Sequence, residues 1–83
     1  MDNSLVYLRE SLSNYTEKDE LCERMFNKLD NSDYKTKEDF IRELTTREIS
    51  LLDTIMKDEI EYAKQEQDEK RAKELNEVYE LLF

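Results

Sequence analysis

The 83-residue chain has no glycine, proline, histidine or tryptophan, and one cysteine. Without glycine there is no Gly-rich loop to cradle a phosphate. Without histidine the commonest general base and transition-metal ligand is missing, and a Cys–His nucleophile is excluded. Cys22 on its own cannot form an intramolecular disulfide or a Cys-rich metal site. Acidic neighbours would raise its thiol pKa, so it reads as a small core residue, and a lone cysteine fits a reducing interior. No run approaches the ~20 apolar residues of a membrane span, and Met1–Ser4 has no basic n-region, so a soluble, intracellular (cytoplasmic) protein is expected. Basic charge is also short. Residues 1–45 carry 11 acids against 7 bases and residues 46–83 carry 11 against 6, for a net charge of −9. No basic patch is left to neutralise phosphates, which disfavours nucleic acid and points to a basic protein surface, or simply to solubility.

What is present is helical. Charged residues make up 42% of the chain, and with no Gly or Pro nothing must break a helix. The mean hydropathy of −0.97 leaves disorder as a competitor. The apolar residues are nonetheless periodic, and the capping residues agree with the period. The fold class is therefore all-α, a small helical bundle in one domain.

Residues 1–44 read as three short helices. Asn3 or Ser4 caps the first, whose inner face is Leu5, Leu8 and Leu12. A break falls in 11–16. Thr16 opens the second helix, with Leu21, Cys22, Met25, Phe26 and Leu29 inward. Asp30–Asp33 is a loop. Its carboxylates invite comparison with an EF-hand, but Lys35 stands where the central Gly belongs and Ile41 where the bidentate Glu belongs. Thr36, followed by Asp39, opens the third helix, which turns Phe40, Ile41 and Leu44 inward.

Residues 45–83 read as one long helix on which the other three pack. Thr45 and Glu48 form a capping box. An apolar stripe follows at Ile49, Leu52, Ile55/Met56, Ile60 and Ala63, and resumes at Ala72, Leu75, Val78/Tyr79 and Leu82. Unbroken, the helix would be roughly 55 Å long. Between the two runs Lys64–Arg71 has no apolar residue. Its residues are good helix formers, with Glu66–Lys70 and Glu69–Lys73 as i,i+4 pairs, so the helix is expected to continue. A bend near Gln67–Lys70 is the alternative. The expected core is Leu5, Leu8, Leu12, Leu21, Met25, Phe26, Leu29, Phe40, Ile41, Leu44, Leu52, Ile55 and Met56.

A chain this short covers such a rod poorly. The expectation is a homo-oligomer whose interface uses Tyr62, Leu75, Val78, Tyr79 and Leu82. A regulator that lays the same helix into a basic or apolar groove of a transcription or signalling factor is the alternative. Asp58, Glu59 and Glu61 are close in sequence, but no hydrolase pattern surrounds them, and they read as a solvated helix face. No catalytic residue, cofactor, metal or small-molecule substrate is expected.

Two stretches carry a resemblance. Leu5-Val6-Tyr7-Leu8-Arg9-Glu10-Ser11-Leu12-Ser13-Asn14 opens the chain. Glu59-Ile60-Glu61-Tyr62-Ala63-Lys64-Gln65-Glu66-Gln67-Asp68 and Arg71-Ala72-Lys73-Glu74-Leu75-Asn76-Glu77-Val78-Tyr79-Glu80-Leu81-Leu82 lie towards its end. Together they resemble the sigma-G-dependent sporulation-specific acid-soluble spore protein family of endospore-forming bacteria, with a looser middle. The resemblance implies a small non-enzymatic protein of the forespore or spore interior and carries over no catalytic residue. The chain is unlike the DNA-coating small acid-soluble spore proteins, being acidic and free of glycine, so DNA binding is not implied.

Overall fold

Each helix begins where a short polar side chain can take up orphan backbone amides. A computed structural model describes residues 2–83 and gives α1 (Asn3–Ser13), α2 (Glu20–Asn31), α3 (Lys37–Arg42), α4 (Thr46–Gln65) and α5 (Glu69–Tyr79). The caps of α3 and α4 stand where the sequence puts them. Thr36 accepts from the Asp39 amide at 3.2 Å. Thr45 and Glu48 close the capping box, at 3.2 Å and 2.9 Å. The caps of α1 and α2 differ from the expectation: Asp2 and Asp19 serve, not Asn3/Ser4 and Thr16. In each case the aspartate's carboxylate accepts from amides two or three residues on, a stronger acceptor than a hydroxyl or amide.

The long C-terminal helix is two helices. α4 stops at Gln65, three residues turn the chain, and α5 runs back along α4. The turn is a Schellman motif: the Gln67 amide donates to the Lys64 carbonyl at 3.0 Å and the Asp68 amide to the Ala63 carbonyl at 2.8 Å. Gln67 takes the left-handed position, at φ 61°, that glycine usually fills. Asp68 then caps α5 by accepting from the Arg71 amide at 3.1 Å. Both apolar runs of the expected rod therefore face the same interior, and the chain measures 30 × 27 × 23 Å.

The core joins α1 (Leu5, Leu8, Leu12), α2 (Cys22, Met25), α3 (Phe40), α4 (Leu52, Ile55, Met56, Ile60) and α5 (Leu75, Val78), with Leu82 beyond α5. Leu21, Phe26, Leu29, Ile41 and Leu44 are half-buried, less covered than expected. Tyr34 meets Phe40 edge-on at 5.4 Å and closes the α3 side.

Two acids, Glu48 buried and Asp2 half-buried, fasten the ends. Glu48 is 2% exposed and accepts from Lys28 Nζ at 3.1 Å as well as from Thr45. Asp2 accepts from the Lys37 amide and from Lys37 Nζ, both at 3.2 Å, and so ties α3 to α1. Burial pushes both carboxyls up, but the backbone amides and the lysine outweigh it, and both titrate below their ordinary values. A depressed carboxyl stabilises the fold above its unfolded pKa, and that stability is lost as pH falls through the folded value. Thermal unfolding should therefore change little between pH 7 and 5, where falling self-repulsion helps, and drop steeply below about pH 4. Circular-dichroism melts check this, and Glu48→Gln should flatten the acid limb.

Candidate functional site

The most structured polar cluster lies where the α1–α2 turn meets α4 and the start of α5. Glu59 is at its centre, 9% exposed. Its neighbours in phase are Leu52, Met56 and Ala63, all buried, so Glu59 occupies an apolar-seam position of α4. A carboxylate there must be paired. Arg71 Nη2 donates to Glu59 Oε1 at 3.2 Å and to Ser11 Oγ at 3.1 Å, and Arg71 Nη1 donates to Glu10 at 2.7 Å. The Tyr15 hydroxyl donates to Glu59 Oε2 at 3.4 Å, and the Asn14 amide to Oε1 at 3.5 Å. One guanidinium thus ties α1, α4 and α5 together.

Outside this cluster opens a cleft of about 470 Å³, rimmed by Lys18, Tyr62, Glu66 and Asp68. The positive charge of Arg71 is already shared between two carboxylates. Burial, with Glu59 and Asp58 beside it, raises the Tyr15 hydroxyl above its usual range, so it stays a donor at neutral pH. The cluster offers a latch for the helices rather than a nucleophile with a base. Among the described residues no group of three or more His, Cys, Asp or Glu could hold a metal ion.

The sequence reading placed Glu59 with Asp58 and Glu61 on a solvated face. Asp58 and Glu61 are exposed, but Glu59 is not. The available signal was the 52–56–59–63 spacing, which sets an acid among three apolar residues. Arg71 gave no signal, because in a straight helix it would lie about 18 Å from Glu59. Only the turn at Gln67 brings the two together.

The five expected interface residues do not form one outer face. Leu75 and Val78 are fully buried, and Leu82 is 6% exposed, all within the core of a single chain. Tyr79 is half-buried against that core. Tyr62 alone stands out, 60% exposed, with exposed Asp58 four residues before it on α4 and exposed Glu66 four residues after it at the helix's C-terminal cap. The seam that was to be shared with a partner closes on α1 and α4 instead, because the turn folds it back.

Cys22 is fully buried, and its thiol donates to the Leu12 carbonyl at 3.4 Å. Burial, helped by Asp19, pushes the thiol pKa up to about 11. A thiol reagent at pH 8 should label the folded protein at least about a hundredfold more slowly than the urea-unfolded chain, since modification must wait for opening. Labelling at the unfolded rate would place Cys22 outside the core.

Comparison with known proteins gives two full-length matches. The family model described as "CsgA: Minor curli fiber component A" matches residues 1–83. A "Sigma-G-dependent sporulation-specific SASP protein" of Bacillus subtilis (strain 168) is 52% identical over 83 residues, which cover all of both chains. The likeness thus runs through the middle as well as the two ends. No solved structure matches the chain. Residues 2–83 contain no strand.

Proposed function

The chain belongs to the CsgA family and is a relative of the sigma-G-dependent sporulation-specific SASP protein, and from that premise we propose that it is a non-enzymatic protein of the sporulating cell, working in the forespore or spore interior by contact with another protein. The contact we favour is between the Tyr62 face of α4 and a basic protein surface. The observation that carries this reading is the exposure of Tyr62 between Asp58 and Glu66. A half-exposed aromatic ringed by carboxylates suits a partner that offers a cation for the ring and further bases for the acids. The net charge of −9 adds long-range attraction to such a partner. Side-by-side contact between closed copies through Leu75, Val78 and Leu82 finds less support, since those side chains already serve the core of one chain.

A photo-crosslinking residue at position 62, expressed in sporulating cells, tests the reading. The expected result is an adduct with a basic protein that fades when Asp58 and Glu66 are both changed to lysine. A control probe at Arg47, on the exposed N-terminal turn of α4, should give no such adduct. Equal yields at 62 and 47, or an adduct indifferent to the charge reversals, would dismiss the contact. In the described residues no helix is long and apolar enough to cross a membrane.

A further inference from the structure

The turn between α4 and α5 is built from residues that would rather not turn. Only Glu66, Gln67 and Asp68 separate the two helices. Gln67 holds φ 61° with a Cβ, in the region that glycine occupies without penalty. Apart from Asp68, Lys64–Arg71 consists of helix formers with no glycine or proline, and in a straight helix Glu66 and Lys70 would face each other at i,i+4. Local preference favours continuing the helix. The fold turns because α5 must bury Ala72, Leu75 and Val78 and seat Arg71 on Glu59 and Glu10. Buried Ser4 also donates to Glu74 of α5, at 2.7 Å.

Every one of these partners lies on α1 or α4, and a second copy carries the same surface. We propose that the protein exchanges α5 between two copies. In the exchanged dimer the turn straightens and residues 46–79 become one helix of about 50 Å. The α5 of each copy then lies on α1 and α4 of the other, and Arg71 of each pairs with Glu59 and Glu10 of the other. The interior contacts are those of the single chain, while two unfavourable Gln67 conformations are removed and two helical joints gained. The opposing term is the freedom lost on association, so the balance is set by concentration. A short joint under strain is the known condition for exchange. The occupant of the vacated site is a second copy because only this chain supplies the matched set of Arg71, Glu74, Leu75 and Val78. The inference does not depend on the Tyr62 contact, which lies on the outer face of α4 in both forms.

Two experiments test it. Light scattering on wild type from micromolar to about millimolar concentration should show a monomer that passes to a dimer. Gln67→Gly should weaken that dimer about twenty-fivefold, roughly fivefold for each of the two turns it relaxes. A wild type that stays monomeric throughout, or a dimer indifferent to Gln67→Gly, overturns the proposal. The second experiment mixes two variants, Glu59→Arg and Arg71→Glu. Alone, each sets like charges together in the closed chain. Exchange between the two variants pairs opposite charges at both sites of a mixed dimer. The expected result is a heterodimer, seen by native mass spectrometry, that melts well above either variant alone. A mixture that behaves as the sum of its parts, whether folded or not, contradicts exchange.

Discussion

Leu75→Ala is expected to lower the unfolding free energy of the isolated chain by about 3 kcal/mol, the middle of the range for a leucine truncated in a packed core. For a domain this small that is a drop in melting temperature of about 15 °C. The expectation follows from full burial of Leu75 where α5 closes over α1 and α4. It separates two architectures sharply. On a straight rod Leu75 would stand on the exposed side of a free helix, and its truncation would change the stability of a single chain by less than about 0.5 kcal/mol. Urea titration at a concentration where the protein is monomeric decides between them. With a total stability of about 4–12 kcal/mol expected for 83 residues, the more severe Leu75→Asp should leave no folded protein at 37 °C.

Arg71→Met should cost about 2–3 kcal/mol, for a different reason. It keeps most of the aliphatic bulk but leaves Glu59, whose side chain is 11% exposed, without its cation. Arg71 itself is 20% exposed, which keeps the figure below that for a fully buried pair. Tyr15 and Asn14 still donate to Glu59, at 3.4 Å and 3.5 Å, too long to carry the charge alone. A further result distinguishes lost pairing from lost packing. Adding Glu59→Gln to Arg71→Met should recover part of the loss, giving a coupling of about 1–2 kcal/mol in the cycle. Urea melts of the four proteins at pH 7 check it.

How far the chain was legible follows from which forces act locally. The Thr36 cap and the Thr45–Glu48 box are decided within four residues, and the structure places both where the sequence did. The inner faces Leu5/Leu8/Leu12 and Leu52/Ile55/Met56 follow from period alone. Asp2 and Asp19, not Asn3/Ser4 and Thr16, cap α1 and α2, because neighbouring Asp, Asn, Ser and Thr are near-equal caps and period alone leaves a helix start uncertain by a few residues. The turn at Gln67 entered only as the alternative, a bend near Gln67–Lys70, because local signals there favour a continuous helix. No Gly or Pro marks it, and within Lys64–Arg71 only Asp68, the cap of α5, is a poor helix former. What breaks the helix is tertiary: the gain from laying Leu75, Val78 and Leu82 on α1 exceeds the cost of one left-handed residue. The same gain created the Glu59–Arg71 pair, so the latch and the turn share one cause. The all-polar interval from Lys64 to Arg71 hinted at it, since a segment with nothing to bury is where a chain can leave one helix axis for another.

The central claim is that the C-terminal apolar surface is closed within a single chain. Small-angle X-ray scattering on the monomer peak of a size-exclusion column tests it most directly. The account predicts a radius of gyration close to the 11.6 Å of the Cα trace plus a hydration layer, with a longest dimension little above 30 Å. A monomer whose longest dimension approaches the roughly 55 Å of an unbroken helix over residues 45–83 would contradict it.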